Sequence, residues 1–250
     1  MSGHSKWSQI KRQKGVTDTR RGQLFTKLTR EIIIAARQGG GNADTNFRLR
    51  LAIQKARDSN MPMDNIERSI KKGSGELGAG SLIEMNLEGY GPKGVAIIIS
   101  ALTDNKNRTV SEVRSVLTKH GGSLSESGGV AWLFENKGVI TIDIKGKDMD
   151  EIALVALDAG ASDVGEEKEY LEIYTTPQKL EAVRKAVEAK AKVISAEISL
   201  VPSTTVMLEE KEAVQTMKLL EHLEELDDVQ SVFSNMDFAD SVTEKMRTSS

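Results

Sequence analysis

The sequence contains no cysteine, and aromatic residues make up only 4% of it. The absence of cysteine excludes disulfides, thiolate zinc sites and cysteine nucleophiles together. No apolar run approaches the length of about 18 residues that a membrane helix needs. The longest run covers the six residues 152–157. No apolar stretch follows the first basic residues either, so a secretory leader is not expected. These absences favour a cytoplasmic protein.

Histidine is also scarce, with single residues at His4, His120 and His222. None of the three has a partner at the spacing of a metal site, and the metalloprotease pattern H-E-x-x-H is absent. We therefore expect His120 and His222 to have structural roles. The glycines at residues 73–78 match a dinucleotide fingerprint only formally, because they follow a predicted helix and not a strand. The sequence thus predicts no enzyme activity, no metal and no cofactor.

The net charge of −3 conceals a segregation of charge along the chain. Residues 1–72 hold 16 Lys and Arg against 6 Asp and Glu, a net charge of +10, and the remainder holds 18 against 31, a net charge of −13. Such a basic segment is typical of a surface that faces nucleic acid, with the acidic part facing solvent or a protein partner. The alternative is a basic helical bundle that docks on the acidic domains of the same chain.

The basic segment divides into an arm and a predicted helical domain. Residues 1–16 lack apolar periodicity, and we interpret them as a flexible basic arm. Apolar residues then recur every three or four positions, which predicts a helix from Thr17 or Asp18 to about Gln38, before three glycines. One face of this helix is predicted to pack in the core and the opposite face to be cationic. The cationic face holds Arg20, Lys27, Arg30 and Arg37.

Two shorter helices complete the predicted helical domain, residues 17–73. The second is predicted at about residues 46–58. The third is predicted to begin at Pro62, because proline is tolerated in a first helical turn. Asp64 and Glu67 have the spacing of a capping box at the start of this third helix. Residues 74–81 have the composition of a linker.

After the linker the pattern changes to short strands and helices, which predicts an α+β fold. Residues 138–201 follow the order strand, helix, strand, strand, helix, strand, which is typical of a ferredoxin-like domain. The strands and helices on either side are predicted to form a second α+β domain, into which the first is inserted. The predicted boundaries are 82–135 plus 203–237 for the discontinuous domain, 136–202 for the inserted domain and 238–250 for a polar tail.

The candidate nucleic-acid-binding residues lie in the arm and along the first helix. Each Lys or Arg that meets a phosphate releases a condensed counterion, which favours binding whatever the base sequence. Trp7 can stack on a base, or alternatively it packs the arm against the helical bundle. The predicted binding residues are His4, Lys6, Trp7, Lys11, Arg12, Lys14, Arg20, Arg21, Lys27 and Arg30.

Short motifs follow one another in order along nearly the whole chain. They are Gly3-His4-Ser5-Lys6-Trp7, Arg21-Gly22, Phe25-Thr26-Lys27-Leu28, Asn60-Met61-Pro62, Asp64-Asn65-Ile66, Glu88-Gly89-Tyr90-Gly91-Pro92, Leu102-Thr103-Asp104-Asn105 and Asn107-Arg108-Thr109. Together they resemble the YebC family. One departure is Phe47, which stands where the family pattern has proline before the run Arg-Leu-Arg.

The resemblance implies an N-terminal helical domain, two α+β domains, no enzyme activity and a role as a transcriptional regulator. Mitochondrial relatives in this family act as translational activators of cytochrome c oxidase. Two functions therefore stay open: a DNA-binding regulator with residues 1–72 on phosphates, or a translation factor with the same arm on ribosomal RNA. In either case the acidic α+β domains are available to a protein partner or the ribosome. A pure protein scaffold would leave the basic segment without a purpose.

Overall fold

The structure is a computed structural model that describes residues 18–77, 82–167, 170–239 and 241–242. The helices are α1 (Asp18–Gly39), α2 (Phe47–Asp58), α3 (Met63–Gly73), α4 (Lys106–Lys119), α5 (Met149–Asp158), α6 (Leu180–Glu188) and α7 (Glu210–Glu224). The strands are β1 (Ile83–Tyr90), β2 (Ala96–Thr103), β3 (Ser123–Leu124), β4 (Phe134–Asp143), β5 (Asp163–Glu167), β6 (Tyr170–Thr175), β7 (Lys192–Pro202), β8 (Val206–Leu208), β9 (Val229–Ser234) and β10 (Met236–Phe238). The predicted α+β class is confirmed. None of the described helices combines the length and hydropathy that crossing a bilayer requires.

Helices α1, α2 and α3 pack around an apolar core and form the helical domain. Asn46 caps α2, because its side-chain oxygen accepts a hydrogen bond from the Leu49 N–H. Its amide nitrogen donates to the Ala35 carbonyl oxygen at 2.7 Å, which ties the start of α2 to α1. Pro62 precedes α3 without any side-chain cap, so the predicted capping box is wrong.

Gly73 allows the end of α3 to approach α1 closely. A Cβ atom at this position would lie 2.5 Å from the Ile33 carbonyl oxygen and 2.7 Å from the Ala36 Cβ atom. Both distances are shorter than any ordinary van der Waals contact, so only glycine fits without moving one of the two helices.

The first sheet has the strand order β3-β1-β2-β9. β1 and β2 form an antiparallel hairpin, and β9 pairs with the other edge of β2. Apolar side chains of α4 and α7 share a core with β2 and β9. The predicted discontinuous domain includes residues 203–237, but β8 does not join this sheet. It pairs in parallel with β10 in a separate two-stranded sheet. Residues up to Phe238 therefore have regular structure, where the sequence predicted the start of a polar tail.

The second sheet has the strand order β5-β6-β4-β7, with every neighbouring pair antiparallel. Helices α5 and α6 contribute to its core. This is the ferredoxin-like arrangement expected from the order of elements. The sheet draws its strands from residues 134–202, whereas the first sheet uses residues on both sides of that range. The domain boundaries themselves stay a prediction.

The middle turns of α1 are buried on all sides. Residues 32–36 are each no more than 3% exposed. Ile32, Ala35 and Ala36 belong to the core of the helical domain, and α1 also contacts β9 of the first sheet. The prediction of one core face and one free cationic face is therefore wrong for this part of α1. Its second face lies against the first sheet.

Candidate nucleic-acid interface

Most of the predicted binding residues precede or begin α1. His4, Lys6, Trp7, Lys11, Arg12 and Lys14 lie outside the described residues. Arg20 and Arg21 lie in the first turn of α1, and the Arg21 side chain is exposed. The role of these eight residues stays a prediction.

Lys27 and Arg30 contact the C-terminal end of α7 and the turn that follows it. Nζ of Lys27 donates a hydrogen bond to the Glu224 carbonyl oxygen. Nη1 of Arg30 donates to Oδ1 of Asp228 at 2.8 Å, and also to the Asp227 carbonyl oxygen. The C-terminus of a helix carries partial negative charge and so favours nearby cations. These contacts hold the helical domain on the acidic part of the same chain, so they disfavour the prediction that Lys27 and Arg30 face phosphate, which nothing in the structure tests directly.

Arg48 forms a second ionic contact between the helical domain and the first sheet. Its Nε lies 2.8 Å from Oε1 of Glu31, and its Nη2 lies 2.8 Å from Oε1 of Glu84 on β1. Burial lowers the pKa of Arg48, but the hydrogen bonds and charges of the two carboxylates outweigh burial and raise it. The hydrogen bond from Arg48 in turn lowers the pKa of Glu84. Both groups are therefore charged at neutral pH.

Helix α2 attaches the helical domain to the second sheet as well. Phe47 and Leu51 pack against the core of that sheet, and Nζ of Lys55 lies 3.4 Å from Oε2 of Glu197 on β7. The guanidinium of Arg50 lies 5.6 Å from the centroid of the Phe47 ring, within the range of a cation–π contact. The departure from the family pattern at Phe47 thus places an apolar ring in a contact between domains.

The cations that stay available on the helical domain lie at the end of α2 and on α3. In the part of the chain that the structure describes, the side chains of Arg57, Arg68, Lys71 and Lys72 are exposed and form no ion pair. Arg68, Lys71 and Lys72 are three and four residues apart, so they share one face of α3. Sequence reasoning did not single them out. They can meet phosphates without any change in the fold.

Asp228 connects Arg30 to the motif at residues 103–109. Its side chain is only 3% exposed. Its Oδ2 accepts hydrogen bonds from Thr103 Oγ1, Thr109 Oγ1 and Arg108 Nη2, at 3.0, 2.7 and 2.7 Å. Burial raises the pKa of Asp228, but these hydrogen bonds and the charge of Arg30 outweigh burial and lower it. Sequence reasoning missed Asp228 because the partners of its carboxylate lie 119 to 198 residues away along the chain.

Glu88 holds the loop that follows β3. This residue is 8% exposed, and its carboxylate accepts three backbone N–H hydrogen bonds, from Gly128, Val130 and Ala131, at 2.7, 2.8 and 2.9 Å. Burial raises the pKa of Glu88, but the three hydrogen bonds outweigh burial and lower it. The carboxylate of Glu88, the first residue of the motif at 88–92, therefore has a structural role that the sequence alone did not reveal.

The same loop orients two aromatic side chains. Oη of Tyr90 and Nε1 of Trp132 both donate hydrogen bonds to the Gly129 carbonyl oxygen, at 3.2 and 3.1 Å. Trp132 is 74% exposed, although its indole N–H is satisfied. No group of three or more His, Asp or Glu side chains able to hold a metal is found within the described residues.

The fold and these contacts define a class of α+β proteins in which a basic helical domain is attached to two acidic domains. The chain belongs to the TACO1/YebC family. Residues 5–76 match the family described as "TACO1/YebC protein N-terminal domain", and residues 82–236 match "TACO1/YebC second and third domain". The resemblance found in the sequence motifs is confirmed.

Similar proteins cover almost the whole chain. A probable transcriptional regulatory protein of Dehalococcoides mccartyi is 58% identical over 98% of both chains. Another of the same name from Natranaerobius thermophilus is 51% identical over 98% of this chain and 99% of its own. The crystal structure of a conserved hypothetical protein from Aquifex aeolicus has a TM-score of 0.81 and 48% identity, covering 89% of this chain and 92% of that one. The family thus has a regulatory role.

Proposed function

We propose that this protein is a cytoplasmic, non-enzymatic regulator of transcription that binds DNA through its basic N-terminal segment. The observation that carries the proposal is the excess of 16 Lys and Arg over 6 Asp and Glu in residues 1–72. The exposed cations at the end of α2 and on α3 support it, because they leave part of this charge on the surface. The names of the relatives support DNA as the nucleic acid.

The basic side chains of the N-terminal segment fall into two groups, those proposed to contact nucleic acid and those that position the helical domain. The arm contributes the proposed phosphate and base contacts of His4, Lys6, Trp7, Lys11, Arg12 and Lys14, and Arg20 and Arg21 continue them into α1. Lys27 and Arg30 position the helical domain and are not proposed to meet phosphate, because Nζ of Lys27 already contacts the end of α7 and Nη1 of Arg30 already contacts Asp228. The phosphate contacts are independent of base sequence and weaken as salt rises.

A second candidate is a translation factor that places the same segment on ribosomal RNA. Support comes from the family itself. Its description names TACO1 beside YebC, and its mitochondrial relatives are the translational activators to which the sequence motifs pointed. The acidic domains would then contact the ribosome or a protein partner. Electrostatics alone does not separate the candidates, because DNA and RNA present the same phosphate charge.

Sedimentation of cell lysate on a sucrose gradient, with and without ribonuclease, separates them. The transcription proposal expects the protein to stay out of the ribosomal fractions in both samples. Co-migration with ribosomal subunits that ribonuclease abolishes would overturn it. Conversely, tight and sequence-selective binding to a promoter fragment at physiological salt would overturn the translation candidate.

A further inference from the structure

Helix α4 is basic, although it lies in the acidic part of the chain. Residues 73–250 hold 18 Lys and Arg against 31 Asp and Glu. Within this part, α4 holds four basic residues against one acidic residue, Glu112. The helices α5, α6 and α7 each carry at least as many acidic as basic residues. A local excess of positive charge in such surroundings favours an anionic partner at α4.

The solvent-exposed face of α4 carries an arginine among short polar side chains. Positions four, seven and eight residues apart lie on one face of a helix. The residues related in this way are Asn107, Ser111, Arg114 and Ser115, and all four are exposed. In the part of the chain that the structure describes, none of their side chains makes a hydrogen bond or an ion pair. Glu112 is half-buried and lies about 100° around the helix from Ser111.

Lys106 adds a second cation to this surface, in the first turn of α4. It is exposed, and within the described residues it has no ion pair. The first turn contains no acidic residue, and the N-terminus of a helix carries partial positive charge. Lys106 and Arg114 are eight residues apart, about 12 Å along the helix axis. Two cations at this distance can each meet a separate phosphate.

The start of α4 lies beside the helical domain. Nη2 of Arg108 and Nη1 of Arg30 contact the two oxygens of the same Asp228 carboxylate, at 2.7 and 2.8 Å. Arg21, which is proposed to contact nucleic acid, lies nine residues before Arg30, about 14 Å along α1. The start of α1 and the exposed face of α4 therefore fit within a span comparable with one turn of duplex DNA, about 34 Å.

We propose that the exposed face of α4 is a second contact surface for duplex DNA, with Lys106 and Arg114 at phosphates. The hydroxyl and amide groups of Asn107, Ser111 and Ser115 supply neutral donors, which are common in contacts to the DNA backbone. This inference rests on the proposed function, because it adds a contact to the DNA that the basic N-terminal segment binds.

The composition of the surface favours nucleic acid over an acidic protein. None of the exposed side chains of α4 is apolar, whereas a protein interface normally has an apolar core.

Fluorescence anisotropy of the full-length protein with a DNA duplex, over a range of salt concentrations, tests the proposal. Each phosphate contact contributes about 0.9 to the slope of log K against log salt. Lys106→Ala with Arg114→Ala should therefore reduce the slope by about 1.8. Both side chains are exposed, so Tm should stay unchanged. Lys106→Arg with Arg114→Lys retains both charges and should retain the wild-type slope.

A matched control separates a local contact from net charge. Lys145→Ala with Lys147→Ala removes two exposed lysines from the second-sheet domain, and the slope should stay at the wild-type value. If this control reduces the slope as much as the α4 variant does, the effect is one of net charge and the proposal is wrong.

The arm provides the comparison that separates this inference from the proposed function. If alanine at Lys11, Arg12 and Lys14 reduces the slope but the α4 variant does not, the α4 proposal is wrong and the proposed function stands. If neither variant changes the slope, both are wrong. A loss of binding to an RNA duplex of the same length, with DNA binding unchanged, would also overturn the assignment of α4 to DNA.

Discussion

Substitution of Asp228 by asparagine removes one negative charge from a site that is almost closed to water and changes little else in size. The carboxylate is 3% exposed and accepts hydrogen bonds from two arginines and two threonines. In Asp228→Asn, an amide N–H must face one of these donors, the Arg30 guanidinium loses its carboxylate partner, and Arg108 keeps only the exposed Asp104. The variant therefore probes the contact between α1 and the first sheet at its centre.

Asp228→Asn should lower the free energy of unfolding by about 3 kcal/mol. Removing one member of a buried charge pair typically costs 3–5 kcal/mol, but the partly exposed guanidinium groups recover some solvation. For a chain of this size, that loss lowers Tm by about 6–12 °C. The loss should depend on pH in a definite direction. The pKa of Asp228 is lowered in the folded state, so its contribution is present above the ordinary value of about 3.9 and disappears as pH falls through the folded value.

Thermal unfolding followed by circular dichroism, at neutral pH and at steps below about pH 4, measures both effects. The difference between wild type and Asp228→Asn should shrink as the solution becomes more acid. Asp104→Asn is the matched control, because Asp104 also pairs with Arg108 but is 61% exposed. Its effect should be much smaller. Equal effects of the two substitutions, or a difference that does not change with pH, would refute this account of Asp228.

Three further outcomes are expected. Glu88→Gln should speed amide exchange at Val130 and destabilise the fold by about 1–3 kcal/mol, because one neutral amide replaces an acceptor of three backbone hydrogen bonds. Since the pKa of Glu88 is also lowered, this stability too is present above its ordinary value and lost in acid. Gly73→Ala should destabilise by about 1–3 kcal/mol, since its Cβ would overlap the Ile33 carbonyl oxygen. Gly22→Ala, with no atom within 4 Å of the new Cβ, should instead stabilise α1 by about 0.5–1 kcal/mol. Urea unfolding of the Gly73→Ala and Gly22→Ala variants measures both effects.

The sequence predicted most elements of secondary structure because their signals are local. The three glycines at 39–41 and the asparagine before α2 mark helix ends within one residue of where the structure places them. The order of elements over residues 138–201 was enough to predict the ferredoxin-like sheet, because few topologies suit that order. The partner of β8 was not predictable in this way, since β10 is only three residues long.

The candidate site was harder to predict, because which cations are free depends on contacts between distant residues. On a helical wheel, Lys27 and Arg30 look like a solvated face, and only the fold brings Asp228 to Arg30. A signal was nevertheless present. Ile33 and Ile34 extend the apolar surface of α1 beyond one face, and a helix that is apolar all round is buried. That pattern indicates a helix that packs against neighbours on both sides. It agrees with the alternative in which the basic helical bundle docks on the acidic domains of the same chain.

The central claim is that the arm meets phosphate while Arg30 attaches the helical domain. Fluorescence anisotropy with a DNA duplex over a range of salt concentrations tests it directly, because the slope of log K against log salt counts phosphate contacts at about 0.9 each. Alanine at Lys11, Arg12 and Lys14 should reduce the slope by about 2.7. Arg30→Ala should leave the slope unchanged while lowering Tm. A slope that falls for Arg30→Ala and stays constant for the arm variant would contradict the claim.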